Sequence, residues 1–351
     1  MLKISIVGST TWGVTLGVIL AQKGLQVKLW ARTEEEAASI SGNGLHRGLP
    51  PDIDLPAELS VTNSLSEALN EAKAVILAVP SQTMRKNIRQ VASHIKESML
   101  VISGVKGLEV GSNKRMSEVI AEEIDGRFHS NICILSGPNL AREILRGLPA
   151  ATVVAAEEDS VARVAQRVLS TPNLCVYTNT DVIGVELGGA LKNIIALGAG
   201  MADGLNYGDN TKAAFITRGL TEITALGTAL GAHPLTFSGL AGLGDLVATC
   251  ASALSRNHYV GVELTKGRVL QEITESMEGV AEGVTTVIAA TTLAKQLGLE
   301  MPITEKIYQV LYEKVEPRQA VLQLMSAATQ HELAGRKWKL FSFIKRGRQR
   351  S

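Results

Sequence analysis

Lys3-Ile4-Ser5-Ile6-Val7-Gly8-Ser9-Thr10-Thr11-Trp12-Gly13-Val14 is the stretch that decides the fold. Lys3–Val7 reads as a short β-strand, and Val14–Lys23 has the length and apolar pattern of a helix. Gly8 and Gly13 take the first and third glycine positions of the dinucleotide fingerprint G-x-G-x-x-G. The first glycine makes the tight turn and the third lets helix and strand pack closely, with a pyrophosphate resting on the helix N-terminus. Thr10 replaces the second glycine, where the backbone approaches the pyrophosphate. The sequence therefore predicts a loosened grip and tighter binding in a Thr10→Gly variant. Six such residues also make ordinary strand-to-helix turns, so the remainder of the chain has to separate the two readings.

Outward from this loop, β-rich runs recur at Gln26–Ala31, Ala74–Val79, Met99–Ser103, Asn131–Ser136, Ala151–Ala155 and Leu174–Tyr177. Most are continuously apolar, as strands covered on both faces are. Between them lie helical segments such as Ser64–Ala72, opening with Ser64-x-x-Glu67, and Lys114–Ile124. This rhythm predicts an α/β chain whose residues 1–179 form a Rossmann-type doubly wound, mainly parallel sheet binding NAD(P). From Thr180 the periodicity is helical, so residues 180–335 are expected to form an all-α substrate domain. Residues 336–351 are basic without an acidic partner and are expected to be a poorly ordered tail.

Composition removes several function classes. A net charge of +1 gives no field for nucleic acid or acidic membranes, so neither is an expected partner. Cys133, Cys175 and Cys250 are odd in number and form no C-x-x-C pair, which points to a reducing compartment. The histidines show no metal spacing, and no metal is expected. Strand-like sequence begins at Leu2, leaving no room for a leader, and the apolar run Leu187–Ala202 is broken by Lys192 and glycines. A cytoplasmic protein without stable membrane insertion is expected, with Leu187–Ala202 a buried core helix. Trp338, Leu340, Phe341, Phe343 and Ile344 leave a lipid-surface role for the tail as an alternative to simple solvation.

The second strand ends Leu29-Trp30-Ala31-Arg32. NAD sites place an acid near here for the ribose hydroxyls, whereas an arginine accommodates a 2′-phosphate, so Arg32 points toward NADP. A solvated arginine before Glu34–Glu36 explains the same residue equally well.

Chemistry is concentrated in Gly184-Val185-Glu186-Leu187-Gly188-Gly189-Ala190-Leu191-Lys192-Asn193-Ile194-Ile195-Ala196. Lys192 is the only charged residue between Glu186 and Asp203. An amine within an apolar helix is costly unless partnered or neutral. Desolvation can lower a lysine pKa by up to about 3–5 units, making Lys192 a candidate general base. A lysine snorkelling to the surface is the competing account.

Lys106 follows a strand at the carboxyl edge, where open α/β sheets bind ligands. Asp245, after Gly242-Leu243-Gly244, reads from bare sequence as the cap of a helix beginning at Leu246. Ser255-Arg256-Asn257 offers a guanidinium suited to phosphate, although lone loop arginines are more often solvated. Ser136-Gly137-Pro138-Asn139 presents a further anion-binding helix start.

Taken together, Val105-Lys106-Gly107-Leu108-Glu109, Ser136-Gly137-Pro138, Glu186–Asn193, Gly242–Leu246, Ser255–Asn257 and Met301-Pro302-Ile303-Thr304-Glu305 resemble segments of the NAD(P)-dependent glycerol-3-phosphate dehydrogenases. The resemblance runs in order over residues 3–332. It implies that Lys192 accepts the proton of the substrate's C2 hydroxyl. Lys106, Asn193, Asp245 and Thr249 would surround the reacting centre, and Gly137, Asn139, Ser255, Arg256 and Asn257 would bind substrate, with Asn139 standing where Ser or Thr is usual. Thr11, Trp12, Arg32, Lys106, Ala141, Arg256, Val280 and Glu282, with Gly8, Thr10 and Gly13 of the loop, match cofactor positions. NAD or NADP is the implied cofactor and a phosphorylated small molecule the substrate.

The implied reaction interconverts sn-glycerol 3-phosphate and dihydroxyacetone phosphate, supplying glycerophospholipid synthesis. A homodimer is left open. Two rivals compete: a 3-hydroxyacid or ketopantoate-type reductase, which needs no ordered Lys106, Lys192, Asp245, Arg256 set, and a silent NADP-binding sensor, which needs no buried lysine.

Overall fold

The computed structural model describes residues 2–43 and 53–326. The readings of residues 336–351 as a solvated or lipid-facing tail lie outside them.

Eight strands form one sheet: β1 Lys3–Val7, β2 Gln26–Trp30, β3 Leu59–Thr62, β4 Ala74–Leu77, β5 Leu100–Ser103, β6 Ile132–Ser136, β7 Ala150–Ala155 and β8 Leu174–Asn179. Their order is β3-β2-β1-β4-β5-β6-β7-β8. Every pairing is parallel except β6 with β7, so the sheet is mainly parallel, as the apolar runs predict. β3 went unanticipated because it is an edge strand in which Ser60 and Thr62 interrupt the apolar run. The strand order reverses between β1 and β4, and their carboxyl ends form the crevice where doubly wound sheets take ligands.

The helices flanking the sheet are α1 Thr11–Gln22, α2 Glu34–Asn43, α3 Leu65–Leu69, α4 Met84–Ala92, α5 Met116–Glu123, α6 Ala141–Leu145 and α7 Asp159–Leu169. Separate apolar clusters cover its two faces. α1 starts three residues before the predicted Val14, at the glycine-rich loop itself. Ser64 caps α3 through the Glu67 amide, but the Glu67 carboxylate bonds Thr62 and Lys28 instead of closing the box.

Beyond the sheet come α8 Val182–Gly204, α9 Gly208–Ala229, α10 Asp245–Ala251, α11 Arg256–Thr265, α12 Leu270–Ser276, α13 Glu282–Leu297, α14 Pro302–Tyr312 and α15 Pro317–Ser326. α8 is long and apolar enough to cross a membrane, yet Gly184–Ala202 is buried, because α9, α10, α11 and α13 surround it. It is the core helix that the sequence predicts.

Two contacts set the position of α8. A Cβ on Gly200 would lie 2.1 Å from the His258 carbonyl oxygen, and one on Gly261 would lie 2.1 Å from that of Leu197. Only glycines let α8 and α11 approach so closely. On the sheet side, the buried Glu186 carboxylate accepts from the Ser117 amide at 2.7 Å, the Ser117 hydroxyl at 2.6 Å and Arg115 at 2.9 Å. That carboxylate fixes α8 to the first turn of α5, and desolvation raises its pKa despite these donors.

Candidate active site

The dinucleotide loop occupies the crevice at the strand reversal. Gly8 has φ +112°, and a Cβ there would stand 2.5 Å from the Ala78 carbonyl oxygen, so a side chain is excluded. A Cβ on Gly13 would lie 2.1 Å from the Gly8 carbonyl oxygen, which keeps the loop tight against the helix. Thr11 and Trp12 open the first turn of α1, where backbone amides have no intrahelical acceptor. These features fit a dinucleotide pyrophosphate.

The Thr10 side chain has a structural role that the sequence did not suggest. Its hydroxyl accepts from the Gly13 amide at 3.2 Å and donates to the Ala78 carbonyl at 2.7 Å, capping α1 and fastening it to the end of β4. A Thr10→Gly variant is therefore expected to bind NAD(P)H no more tightly and to lose about 1 kcal/mol of stability, the scale of one hydrogen bond. Thermal unfolding with fluorescence titration checks both. A tighter variant would restore the obstruction account.

Arg32 is mostly exposed at the end of β2, and its Nε lies 3.5 Å from the Glu36 carboxylate. The same carboxylate accepts from the Arg32 amide at 3.1 Å and from the Ser9 hydroxyl at 2.5 Å. Ser9 and Glu36 are residues that the sequence reading passed over.

Past the ends of β5 and β6, the chain brings two amines onto one carboxylate. Lys192 Nζ lies 2.6 Å from Asp245 Oδ1, and Lys106 Nζ lies 2.7 Å from Asp245 Oδ2. Lys106 also donates to the Gly137 carbonyl at 2.7 Å, and Lys192 bonds the Thr249 hydroxyl. Asp245 and Lys192 are buried. The cap reading of Asp245 is overturned. A π-helical turn, Leu240–Gly244, carries the chain into α10 already helical, and Asp245 makes no capping bond but turns inward to the lysines. Burial lowers the Lys106 pKa to about 8, with Asp245 opposing the shift and Lys192 adding to it.

Glycines make room for this cluster. A Cβ on Gly189 would lie 2.2 Å from Ser136 Oγ, and Gly137 has φ +145° with Thr152 Oγ1 2.9 Å from its virtual Cβ. Ser136 Oγ and both polar atoms of Asn139 are buried without a hydrogen-bond partner among the described residues. Ser136 Oγ lies against Gly189, three residues before Lys192, and is left with hydrogen-bonding capacity that a polar ligand could use.

Asn193 is turned toward the protein: its Oδ1 accepts from Asn257 Nδ2 at 2.9 Å, and Asn257 Oδ1 accepts from the Gly283 amide at 2.9 Å. The chain from α8 through α11 to α13 holds those three helix segments in register. Ser255 caps α11, accepting from the His258 amide at 3.2 Å. Arg256, at the start of α11, makes no ion pair among the described residues. Glu282 is already engaged, taking the Ser81 amide at 2.9 Å and the Ser81 hydroxyl, which ties α13 to the turn after β4. Val280 is exposed beside it, and Ala141 opens α6.

The comparisons with known proteins agree across the chain. Residues 3–162 match the N-terminus of NAD-dependent glycerol-3-phosphate dehydrogenase, and residues 181–322 match its C-terminus. The chain belongs to the NAD-dependent glycerol-3-phosphate dehydrogenase family. A glycerol-3-phosphate dehydrogenase [NAD(P)+] of Dehalococcoides mccartyi is 60% identical over 351 residues, covering 100% of this chain and 98% of that relative. Another, from Geobacter metallireducens, is 47% identical over 92% of this chain and 97% of its own length. The crystal structure of the Coxiella burnetii glycerol-3-phosphate dehydrogenase superposes with a TM-score of 0.87 at 33% identity, covering 92% of this chain and 98% of that one.

In this glycerol-3-phosphate dehydrogenase fold, Lys106, Lys192, Asp245 and Thr249 meet at one point, with the Gly137 carbonyl bonded to Lys106. Asn193, Asn257 and Glu282 are within the same region, with their amide and carboxylate groups spent on protein partners.

Proposed function

We propose that this NAD(P)-dependent dehydrogenase catalyses sn-glycerol 3-phosphate + NAD(P)⁺ ⇌ dihydroxyacetone phosphate + NAD(P)H + H⁺. In this reading residues 1–179 hold the dinucleotide and residues 180–335 hold the substrate, with the reduction supplying glycerol 3-phosphate for glycerophospholipids. The observation that carries it is the Asp245 carboxylate shared by the Lys106 and Lys192 amines, 2.7 and 2.6 Å away.

Bound NAD(P)H supplies the hydride for C2. Lys192, held by Asp245 and Thr249, exchanges the proton with the C2 oxygen. Lys106 is fixed by Asp245 and the Gly137 carbonyl, so its charge can polarise the C2 carbonyl without reorienting. Arg256, free of an ion pair among the described residues, takes the phosphate in a forked contact. Asn139 fills its orphaned valences with the substrate's polar groups. The test is consumption of NADH or NADPH on adding dihydroxyacetone phosphate, with 2-keto acids as controls. Turnover of a 2-keto acid in place of dihydroxyacetone phosphate would move the chain to another reductase class.

The Lys106 amine, with its pKa near 8, gives the reaction a pH signature. Reduction uses the charged amine, so kcat/KM for dihydroxyacetone phosphate is expected to fall as pH rises through about 8. Lys106→Arg keeps the charge, and the fall should then move to higher pH. Folding has the opposite sign. Because the folded-state pKa is below the ordinary 10.5, the unfolded chain binds more protons between those values, and this group's contribution to stability rises with pH there. A pH–rate profile that stays flat on both sides of about 8 would remove Lys106 from the rate.

A further inference from the structure

We infer that Glu36 is the specificity-determining residue for the dinucleotide, occupying with its carboxylate the place a 2′-phosphate would take and so favouring NADH over NADPH. The inference rests on the NAD(P) site read above and adds which of the two cofactors it accepts.

The argument starts from what surrounds the carboxylate. Ser9 follows the first glycine of the loop, and Arg32 follows the end of β2. In doubly wound dinucleotide sites the segment past the second strand reaches the adenosine ribose: an acid there accepts from the 2′-hydroxyl, and an arginine there takes a 2′-phosphate. Ser9 joins that corner through its bond to Glu36. Here three donors that would suit a phosphate converge on one side chain. The Ser9 hydroxyl gives its hydrogen to Glu36 Oε1 at 2.5 Å, the Arg32 amide to Oε2 at 3.1 Å, and the Arg32 Nε approaches Oε2 at 3.5 Å. A carboxylate already satisfies this anion cradle.

Glu36 reaches it from the first turn of α2, where the Thr33 hydroxyl also accepts from the Glu36 amide at 3.2 Å. Its backbone is thus fixed as well as its head group. Glu36 is about a quarter exposed, while the Arg32 side chain is about three-quarters exposed. The acid is the ordered member of the pair and the arginine the solvated one. Burial works against ionisation of Glu36, but the Ser9 and Arg32 contacts outweigh it and hold the carboxyl below its ordinary range. A charge of −1 therefore stands at this place at neutral pH. Admitting a 2′-phosphate would set two anions together or force Glu36 out, surrendering its bonds to Ser9 and Arg32. A 2′-hydroxyl, by contrast, donates to the carboxylate without displacing it.

This reverses the implication drawn from Arg32 alone. The arginine is present, but an acid four residues on neutralises it. In the sequence, Glu34-Glu35-Glu36 reads as a solvated acidic run, and nothing in it marks the third member as turned inward.

The experiment measures binding of NADH and NADPH by fluorescence titration of the full chain without substrate, for the wild type, Glu36→Gln and Glu36→Ala. Wild type should prefer NADH. Both variants should shift the Kd ratio toward NADPH by about tenfold or more, the effect of one removed charge contact. Glutamine keeps the shape and can still bond Ser9, so a shift in Glu36→Gln isolates the charge, and kcat/KM ratios with dihydroxyacetone phosphate should follow the binding ratios. A wild type that prefers NADPH, or a ratio unchanged in both variants, overturns the assignment. Wild type binding neither nucleotide would instead remove the dinucleotide site itself, a failure distinct from an unaltered ratio.

Discussion

Lys192→Met is expected to lower turnover by about 10²–10⁴, the usual contribution of a positioned acid or base. Methionine retains the length and apolar body of the side chain while removing the amine. Stability should change little, because Asp245 keeps Lys106 as its counterion at 2.7 Å and no buried charge is left alone. Dinucleotide affinity should also hold, since the amine faces Asp245 and Thr249 rather than the glycine-rich loop. Steady-state kinetics in both directions, with NAD(P)H binding measured separately, read the effect. Retention of more than about a tenth of wild-type turnover would transfer the proton to Lys106, whose pKa near 8 equips it for that role.

What made Lys192 visible in the sequence was local: one charge in a run of apolar and small residues. Its partner was invisible for the converse reason. Asp245 lies 53 residues away, and on its own segment it has the look of a helix cap. Only the packing of α10 against α8 turns that carboxylate inward. The same limit applies to Glu282, whose contact with Ser81 spans 201 residues, and to Glu186 with Ser117, which spans 69.

The sheet was legible wherever strands are covered on both faces, since continuous apolar runs leave few alternatives. β3, half exposed at the edge, lacks that signature. The antiparallel turn of β7 against β6 depends on which edge the chain returns to, which periodicity does not encode. Thr10 shows a different limit: as a broken fingerprint it suggests a defect, and only the Ala78 carbonyl and Gly13 amide beside it reveal a cap.

Removing Asp245 should be more damaging than removing either lysine, because among the described residues it is the carboxylate that both amines share. Asp245→Ala leaves two amines facing each other in a buried site. Stripping one partner from such a pair costs about 3–5 kcal/mol, and without the carboxylate nothing opposes the burial that lowers the Lys106 pKa. Denaturant unfolding should show the loss, and turnover should fall by at least the 10²–10⁴ assigned to the base. Poor folding of the alanine variant alone would leave its kinetics uninterpretable, so Asp245→Asn supplies the second arm. The amide keeps the shape and one acceptor but not the charge, sparing much of the fold while failing to hold either ammonium in place. Its turnover should be low, and the fall in kcat/KM near pH 8 should move to lower pH. Because Lys192 acts through the position that Asp245 gives it, adding Lys192→Met to Asp245→Asn should cost little more, a non-additivity expected of groups that work as one unit. Near wild-type turnover in Asp245→Asn, or full additivity in the double variant, would return Asp245 to the role of a structural helix residue.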